Sequence, residues 1–284
     1  MHLISFKQAG SSGFGAIVAG GVVDLTGKGP MAPRSVLQAL EMNLLDDLRA
    51  QVKGSAPDLT LAALTLLPVV PDPRKILCIG LNYVDHVAET KREIAQYPTV
   101  FTRFADSQTA HGTPLLRPVG CIRFDFEGEL AVIIGRSGRH IPRSEALSYI
   151  AGYSCYNDAS ARDWQKHTSQ FTPGKNFPGT GGFGPALVTA DEIQDYRDLE
   201  LVTRINGEIM QHASLHQLIF SIEDLIAYCS NFTQLSPGDV IVTGTPGGVG
   251  DRRDPPRYLA PGDRVEVEIG PIGCLTNTVA DAPA

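Results

Sequence analysis

The sequence predicts a strand-rich α+β fold. Short apolar runs recur along the chain, and many of its 29 glycines and 20 prolines fall between these runs, where they favour tight turns. Hydrophobic residues make up 43% and charged residues 19% of the 284 residues, values typical of a globular protein with a sizeable core. We therefore expect many short strands joined by turns, together with a few helices.

The first part of the chain has the pattern of a small separate unit. Its predicted elements are strands over residues 3–6 and 16–19 and a helix over residues 35–53. Pro68, Pro71 and Pro73 then interrupt regular structure and suit a linker. We predict a small α+β N-terminal domain over residues 1–70 and a main domain over residues 71–284.

The main domain shows strands and helices in alternation. Strands are predicted over residues 75–80, 124–135, 201–205, 240–246 and 264–269 and in a run that ends at Asp158. Helices are predicted over residues 82–89 and 221–229 and near residues 160–165, and a loop over residues 172–185. Asn206-Gly207 is a dipeptide preferred in two-residue hairpin turns, so the strand before it should pair with the segment after it.

Two glutamates one residue apart are the clearest chemical signal. Side chains alternate along a strand, so Glu127 and Glu129 should share a face while Phe126 points to the other. Neighbouring carboxylates on a half-buried face need a shared proton or a cation between them. Asp158 ends another apolar run and supplies a third carboxylate, and three acidic oxygens without His or Cys suit Mg²⁺, Mn²⁺ or Ca²⁺. The alternative is a solvated face of an edge strand.

Three further residues have the chemistry of catalytic groups. His86 and Glu89 stand three apart on a predicted helix, where the carboxylate can orient the imidazole as a base. A surface helix pair would have the same spacing. Lys175 is the only basic residue in the predicted loop over residues 172–185, and a lone ammonium there can stabilise an anion. An exposed loop lysine is the alternative.

Candidate substrate-binding donors lie close to these groups in the sequence. Arg162 and Gln165 share a helix face just after Asp158 and can offer hydrogen bonds to a substrate. The glycine-rich stretches over residues 179–184 and 243–250 lack the pattern of a phosphate-binding loop. The Thr245 hydroxyl and nearby backbone N–H groups can still bind a carboxylate.

The bulk composition disfavours several classes of partner. A net charge of −7 and the absence of a basic stripe predict no nucleic-acid partner and no attachment to an anionic membrane. No apolar run approaches the roughly 20 residues that span a bilayer, and the N-terminal residues lack a signal peptide's apolar stretch. We expect a cytoplasmic protein. Its five cysteines are widely spaced and suit reduced, buried thiols.

Several motifs, in order from about residue 75 to residue 275, resemble those of the fumarylacetoacetate hydrolase family. They are residues 79–83 with His86 and Glu89, the strand with Glu127 and Glu129, residues 156–158 followed by 161–163, and residues 174–177, 202–207 and 243–246. The resemblance implies a mixed β-roll fold of the family's C-terminal domain type, a small N-terminal domain and a homodimer.

The resemblance also assigns roles to residues of the site. It implies Mg²⁺ or Mn²⁺ held by Glu127, Glu129 and Asp158. It implies a water-activating dyad of His86 and Glu89, with Lys175 as charge stabiliser. Tyr83, in the first motif, joins the predicted substrate-binding residues Arg162, Gln165 and Thr245.

The implied activity is metal-dependent hydrolysis of a carbon–carbon bond in an acylpyruvate-type 2,4-dioxo acid. Pyruvate or a related 2-oxo acid would be released, in the catabolism of aromatic compounds or sugar acids. Leu81 stands where acylpyruvate-cleaving relatives often carry Arg. Isomerisation or decarboxylation at the same site is the alternative within the family, since the family includes all three activities. A non-catalytic metal-binding protein and a nucleotide-binding enzyme are alternatives from other classes.

Overall fold

The computed structural model describes residues 1–29, 31–90 and 93–283, and it confirms the strand-rich α+β fold. The strands are β1 (His2–Gln8), β2 (Ser11–Val18), β3 (Gly21–Asp24), β4 (Thr65–Leu66), β5 (Ile76–Gly80), β6 (Thr99–Arg103), β7 (Gln108–Ala110), β8 (Leu115–Arg117), β9 (Phe124–Asp125), β10 (Gly128–Ile134), β11 (Ile150–Asp158), β12 (Ser160–Ala161), β13 (Gly181–Thr189), β14 (Glu200–Ile205), β15 (Glu208–Ser214), β16 (Val240–Val242), β17 (Arg264–Ile269) and β18 (Gly273–Asp281). The α-helices are α1 (Val36–Glu41), α2 (Leu45–Val52), α3 (Val84–Thr90), α4 (Arg162–Gln165), α5 (Thr172–Lys175) and α6 (Ile222–Phe232).

One large sheet carries the centre of the molecule. Its strand order is β3-β2-β1-β13-β11-β10-β16-β5-β6, with β4 paired to β1 and β7 paired to β13. Strand β10 lies between β11 and β16 and is antiparallel to both, and all seven of its residues are buried. A strand buried on both faces is expected to be almost wholly apolar, so Glu129 in this position needs a specific reason.

A second sheet, with the order β15-β14-β17-β18-β8, packs against the first. Leu130 and Val132 of β10 share a hydrophobic cluster with Leu201 of β14 and Val267 of β17. Helix α6 completes this core, and Ser221 begins the helix by accepting a hydrogen bond from the Asp224 backbone N–H. The hairpin predicted at Asn206-Gly207 is confirmed between β14 and β15, and both turn residues have positive φ.

The N-terminal strands are continuous with the large sheet. Leu3 of β1 pairs with Leu187 of β13, and Phe14 shares a buried cluster with Ile133 of β10. The division at residue 70 stays a prediction, because pairing and packing across it do not say whether the two parts fold separately. No helix among the described residues is long and apolar enough to cross a membrane.

Several predicted elements differ from the observed ones, and the strand predicted over residues 240–246 ends at Val242. The helix expected over residues 35–53 is two helices, α1 and α2, because Asn43 has a left-handed φ of 55° that a continuous helix cannot contain. The segment near residues 160–165 is a short strand followed by one helical turn. The loop expected over residues 172–185 contains helix α5 and the start of β13, where glycines allow close packing against neighbouring side chains. The described cysteines are free, and all but Cys274 are buried.

Candidate metal centre

Antiparallel pairing of β10 and β11 brings three carboxylates together. Gly128 lies opposite Asn157, and the Asp158 backbone N–H donates to the Glu127 carbonyl at 2.8 Å. Ligand oxygens of Glu127, Glu129 and Asp158 all lie within 4.8 Å of one another. The sequence prediction that these residues converge on one site therefore agrees with their geometry.

The strand predicted over residues 124–135 is interrupted at its first glutamate. Strand β9 ends at Asp125 and β10 begins at Gly128, so Glu127 lies in the link between them. The Asn157 side-chain oxygen accepts the Glu127 N–H at 3.0 Å, and this side-chain contact takes the place of a strand-to-strand bond. Glu127 and Glu129 nevertheless share the site, with carboxylate oxygens within 4.8 Å of each other.

The triad is buried, which differs from the solvated edge face considered as the alternative. Glu127, Glu129 and Asp158 are 6%, 2% and 0% exposed. Burial and the neighbouring Asp158 and Glu127 carboxylates raise the pKa of Glu129. Burial also opposes ionisation of Glu127, but Lys175 and Arg162 overcome it and lower the pKa of Glu127 to about 2.

Buried cations surround two of the three carboxylates. Lys175 Nζ donates to Glu127 Oε2 and to Asp158 Oδ2, each at 2.6 Å. Arg103 Nη1 donates to Asp158 Oδ1 at 2.5 Å, and Arg162 Nη2 lies 2.6 Å from Glu127 Oε1. Burial lowers the pKa of Lys175, but Asp158 and Glu127 outweigh it and raise the pKa overall.

Glu129 has no cation partner among the described residues. Its Oε2 accepts the Gly244 backbone N–H at 2.5 Å, and its side chain makes no other hydrogen bond within the described part of the chain. A buried carboxylate without a counter-charge is costly, and a hard divalent cation held by three carboxylate oxygens would remove that cost. The donor set therefore fits Mg²⁺, Mn²⁺ or Ca²⁺.

Sequence reasoning missed Arg103 and Asp125. Asp125 is fully buried and accepts from Arg162 Nε at 2.9 Å, so it positions the guanidinium that contacts Glu127. The sequence contained a sign of Asp125, because it precedes Glu127 by two residues and so extends the alternating pattern of acidic residues. Arg103, at the end of β6, carried no local signal.

His86 and Glu89 form a pair on one face of α3. His86 Nδ1 lies 3.6 Å from Glu89 Oε2, and within the described residues neither atom has a hydrogen-bond partner. Glu89 is held in place from the other side, because its Oε1 accepts the Gly248 N–H at 2.7 Å. His86 is buried and lines the cavity of the site, so the exposed surface pair considered as the alternative does not describe it.

A cavity of about 260 Å³ opens onto Glu127 and Glu129, two of the three carboxylates, while Asp158 is not part of its lining. The predicted residues that line it are His86, Glu127, Glu129, Arg162, Gln165, Lys175 and Thr245. Arg162 Nη1 donates to Gln165 Oε1 at 2.8 Å, so the two predicted donors hold each other. Thr245 donates to the Gly128 carbonyl at 2.9 Å, which fixes its hydroxyl beside the triad.

Tyr83 is not brought to the cavity. Its side chain is 0% exposed and belongs to the hydrophobic cluster that contains Leu77 and Leu130. Its hydroxyl has no hydrogen-bond partner among the described residues, and burial raises the pKa of the phenol. Its predicted role in substrate binding stays a prediction.

The rest of the cavity wall was not identified from the sequence. Its further residues are Ile79, Gly80, Leu81, Phe101, Lys166, Thr168, Ser169, Phe171, Val249, Asp251 and Arg252. They come from four separate parts of the chain, and no spacing rule connects them. Leu81 places an apolar side chain on the wall at the position noted in the sequence.

The chain has relatives along nearly its full length. Residues 75–280 match the family described as fumarylacetoacetate (FAA) hydrolase C-terminal. The chain is 39% identical over 286 residues to the mitochondrial oxaloacetate tautomerase Fahd2a of Rattus norvegicus, and the match covers 98% of this chain and 91% of that protein.

Two solved structures are similar over the whole fold. Fumarylacetoacetate hydrolase from psychrophilic Exiguobacterium antarcticum has a TM-score of 0.88 and 36% identity, covering 99% of this chain and 100% of that one. Maleylpyruvate hydrolase from Sphingobium sp., solved with manganese(II) ion and pyruvate, has a TM-score of 0.82 and 25% identity, covering 100% of both chains.

Proposed function

This chain belongs to the fumarylacetoacetate hydrolase family, and from that premise we propose that it is a divalent-metal-dependent enzyme acting on small 2-oxo acids. Its first proposed reaction is the tautomerisation of oxaloacetate between the enol and keto forms. The observation that carries the proposal is that His86 lines the same cavity as Glu127 and Glu129, two of the three carboxylates of the buried triad, with Glu89 next to His86 on the same helix. The likeness to the rat tautomerase over 98% of this chain supports the choice of reaction.

The triad would hold the metal. Glu127, Glu129 and Asp158 offer the oxygen donors that suit Mg²⁺ or Mn²⁺, with Ca²⁺ as a further option. When bound, such a cation acts as a Lewis acid that stabilises negative charge on the oxygens of a 2-oxo acid. The manganese(II) in the Sphingobium relative supports a hard divalent ion as the metal of this chain.

His86 would move the proton. Conversion of enol to keto removes the proton of the enol O–H and adds one to carbon 3, so one base that holds a proton and returns it completes the reaction without consuming water. Glu89 Oε2 lies 3.6 Å from Nδ1 of His86, and a closer approach on substrate binding would let it accept the Nδ1 proton, fix the tautomer and leave Nε2 as the exchanging atom.

The remaining cavity residues would bind and orient the substrate. Lys175 is buried between two carboxylates, where its ammonium can stabilise the negative charge that develops on the substrate oxygen. Arg162, Gln165 and Thr245 are held in fixed positions by their own hydrogen bonds, and fixed donors lower the entropy cost of orienting a substrate.

Hydrolysis of an acylpyruvate-type 2,4-dioxo acid is the second candidate. The same His86 and Glu89 pair can take a proton from water, and the resulting hydroxide would attack the distal carbonyl and release pyruvate. The likeness to maleylpyruvate hydrolase supports this reaction. Leu81 lines the cavity at the position where acylpyruvate-cleaving relatives often carry Arg, and this departure makes hydrolysis the second rather than the first candidate.

One set of assays separates the candidates. Purified protein is stripped of metal, reloaded with Mg²⁺ or Mn²⁺, and given oxaloacetate, acylpyruvates, maleylpyruvate and 2,4-dioxo sugar acids in parallel. We expect faster decay of the enol absorbance of oxaloacetate and loss of this activity on chelation. Release of pyruvate from an acylpyruvate without acceleration of the tautomerisation would assign the hydrolase. Inactivity on every substrate with either metal, alongside tight metal binding, would favour the non-catalytic alternative.

The homodimer, the cytoplasmic location and the absence of nucleic-acid and membrane partners are further parts of the proposal. Sedimentation equilibrium over a range of protein concentrations tests the homodimer directly. A monomer at micromolar concentration would contradict it.

A further inference from the structure

The cations that line the cavity differ in how they are paired. Lys175 and Arg162 are bound to buried carboxylates, and Lys166 Nζ donates to Asp251 Oδ2 at 2.6 Å. Arg252 makes no side-chain hydrogen bond within the described residues, and its nearest ion-pair contact is from Nε to Asp251 Oδ2 at 3.8 Å. Among the lysine and arginine side chains that line the cavity, that of Arg252 therefore makes no hydrogen bond within the described part of the chain.

Asp251 cannot serve as a full partner for Arg252, because its carboxylate is already occupied. Arg123 and Tyr258 donate to Oδ1, and Lys166 donates to Oδ2. With Arg252, three basic side chains therefore surround the Asp251 carboxylate, and two of them, Lys166 and Arg252, line the cavity. A local excess of positive charge in a chain of net charge −7 indicates that an anion is received here.

The backbone that carries Arg252 is fixed to the metal centre. The N–H groups of Gly250 and Asp251 donate to Asp125 at 2.8 and 3.0 Å, and the same carboxylate binds Arg162. A Cβ at Gly250 would overlap the Arg257 carbonyl, so glycine allows this close approach. The turn is thus held at a set position relative to the triad, while the Arg252 side chain is 38% exposed and free to meet a ligand.

We propose that Arg252 is a specificity-determining residue that binds the second carboxylate of a dicarboxylic 2-oxo acid. The 2-oxo acid head of the substrate lies at the triad, and the distal carboxylate pairs with the guanidinium across the same cavity. A guanidinium suits this task because it can donate two parallel hydrogen bonds to the two oxygens of one carboxylate. The inference rests on the proposed function and defines its substrate class.

The test compares two ligands that differ by the second carboxylate alone. Pyruvate is oxaloacetate without that group. Affinities of the Mn²⁺-loaded protein for pyruvate and for freshly prepared oxaloacetate are measured by calorimetry in the parent, in Arg252→Gln and in Arg252→Lys. Arg74→Gln is the matched control, since Arg74 is 65% exposed and pairs with Glu41 at the surface. Thermal unfolding and Mn²⁺ titration verify that each variant keeps its fold and its metal site.

In the parent we expect oxaloacetate to bind more tightly than pyruvate. Arg252→Gln should weaken oxaloacetate binding about ten- to a hundredfold, the range for losing a hydrogen bond to a charged group, and leave pyruvate binding unchanged. Arg252→Lys should retain part of the preference, and Arg74→Gln all of it. In turnover, KM for oxaloacetate should rise while kcat changes little.

Two results would overturn the assignment of Arg252 alone. They are an unchanged preference for oxaloacetate in Arg252→Gln and equal binding of both ligands by the parent. A parent that binds neither ligand when loaded with metal would overturn the proposed function together with this inference. An equal loss for both ligands in Arg252→Gln would show that the residue supports the site as a whole, and it too would contradict a role in specificity.

Discussion

At the scale of single residues, the metal centre is a balance of buried charges. Asp125, Glu127, Glu129 and Asp158 are opposed by Arg103, Arg162 and Lys175, and every one of these side chains is buried. Each carboxylate other than Glu129 has a cation partner. Four buried carboxylates therefore face three buried cations, and among the described residues of this group Glu129 is the carboxylate without a cation partner.

Replacing Glu129 by Gln tests this assignment. The variant should lose affinity for Mn²⁺ by more than the roughly 10- to 100-fold that loss of an outer partner costs. Without metal it should be at least as stable as the parent near neutral pH. A carboxyl whose pKa is raised in the folded state contributes fully to stability below its unfolded pKa, and that contribution is lost as the pH rises through the folded pKa. The amide in Glu129→Gln does not ionise, so the variant does not lose stability in this way as the pH rises.

The measurements are Mn²⁺ titration and thermal unfolding with and without metal, with the exposed Glu145→Gln as control. Parent-like Mn²⁺ affinity in Glu129→Gln would show that the site is assigned to the wrong carboxylates.

His86→Ala separates proton transfer from metal binding. Removing an acid–base group typically costs about 10²- to 10⁴-fold in rate, and we expect a loss in that range at saturating Mg²⁺. Metal affinity should be unchanged, since the proposed ligands are the carboxylates of Glu127, Glu129 and Asp158 and not the His86 imidazole. Enol decay and pyruvate release are measured beside a metal titration, and His212→Ala, at an exposed position, is the control. A rate equal to that of the parent would remove His86 from the mechanism, and lost metal binding would make it a ligand.

At the scale of elements, the glycine between the two glutamates sets how closely the two sheets pack. A Cβ at Gly128 would overlap the Thr203 hydroxyl of β14 and press on Val267 of β17. The Gly128 N–H donates to Gln211 at 3.0 Å, so the start of β10 is tied to the second sheet. Any shift of this strand would move both flanking carboxylates.

Gly128→Ala should therefore lower the melting temperature and weaken Mn²⁺ binding together. Overpacking of this kind typically costs about 1–3 kcal/mol. Thr203→Ala should restore part of both losses in the double variant, because it removes the atom that the new methyl group meets. By itself Thr203→Ala should cost little, since its hydroxyl has no hydrogen-bond partner among the described residues.

The measurement is a double-mutant cycle on thermal stability and on metal affinity. Additive effects of the two substitutions would contradict a direct clash between them.

At the scale of the whole molecule, the N-terminal strands and the main sheet share one core. Leu3 and Phe14 belong to the same buried cluster as Ile76, Ile133 and Leu187. A domain that shares its core with its neighbour unfolds with it, so we expect one cooperative calorimetric transition for the full chain. Calorimetric and van't Hoff enthalpies should agree. Two separate transitions would instead support independent folding of residues 1–70.

Local patterns determined much of the site from the sequence. Alternation along a strand placed Glu127 and Glu129 together, a helical spacing of three paired His86 with Glu89, and Asn206-Gly207 fixed a hairpin. Each of these signals spans a few residues and is set by backbone geometry. The sequence can therefore report it without knowledge of the rest of the fold.

Only the tertiary structure decided which residues complete the site. Arg103 meets Asp158 across 55 positions of sequence, and Asp125 binds the turn at Gly250 across 125. Tyr83, predicted to bind the substrate, lies in a buried hydrophobic cluster with Leu77 and Leu130. Contacts of this kind depend on how distant strands stack and on the burial energy that fixes them, and no local periodicity encodes them.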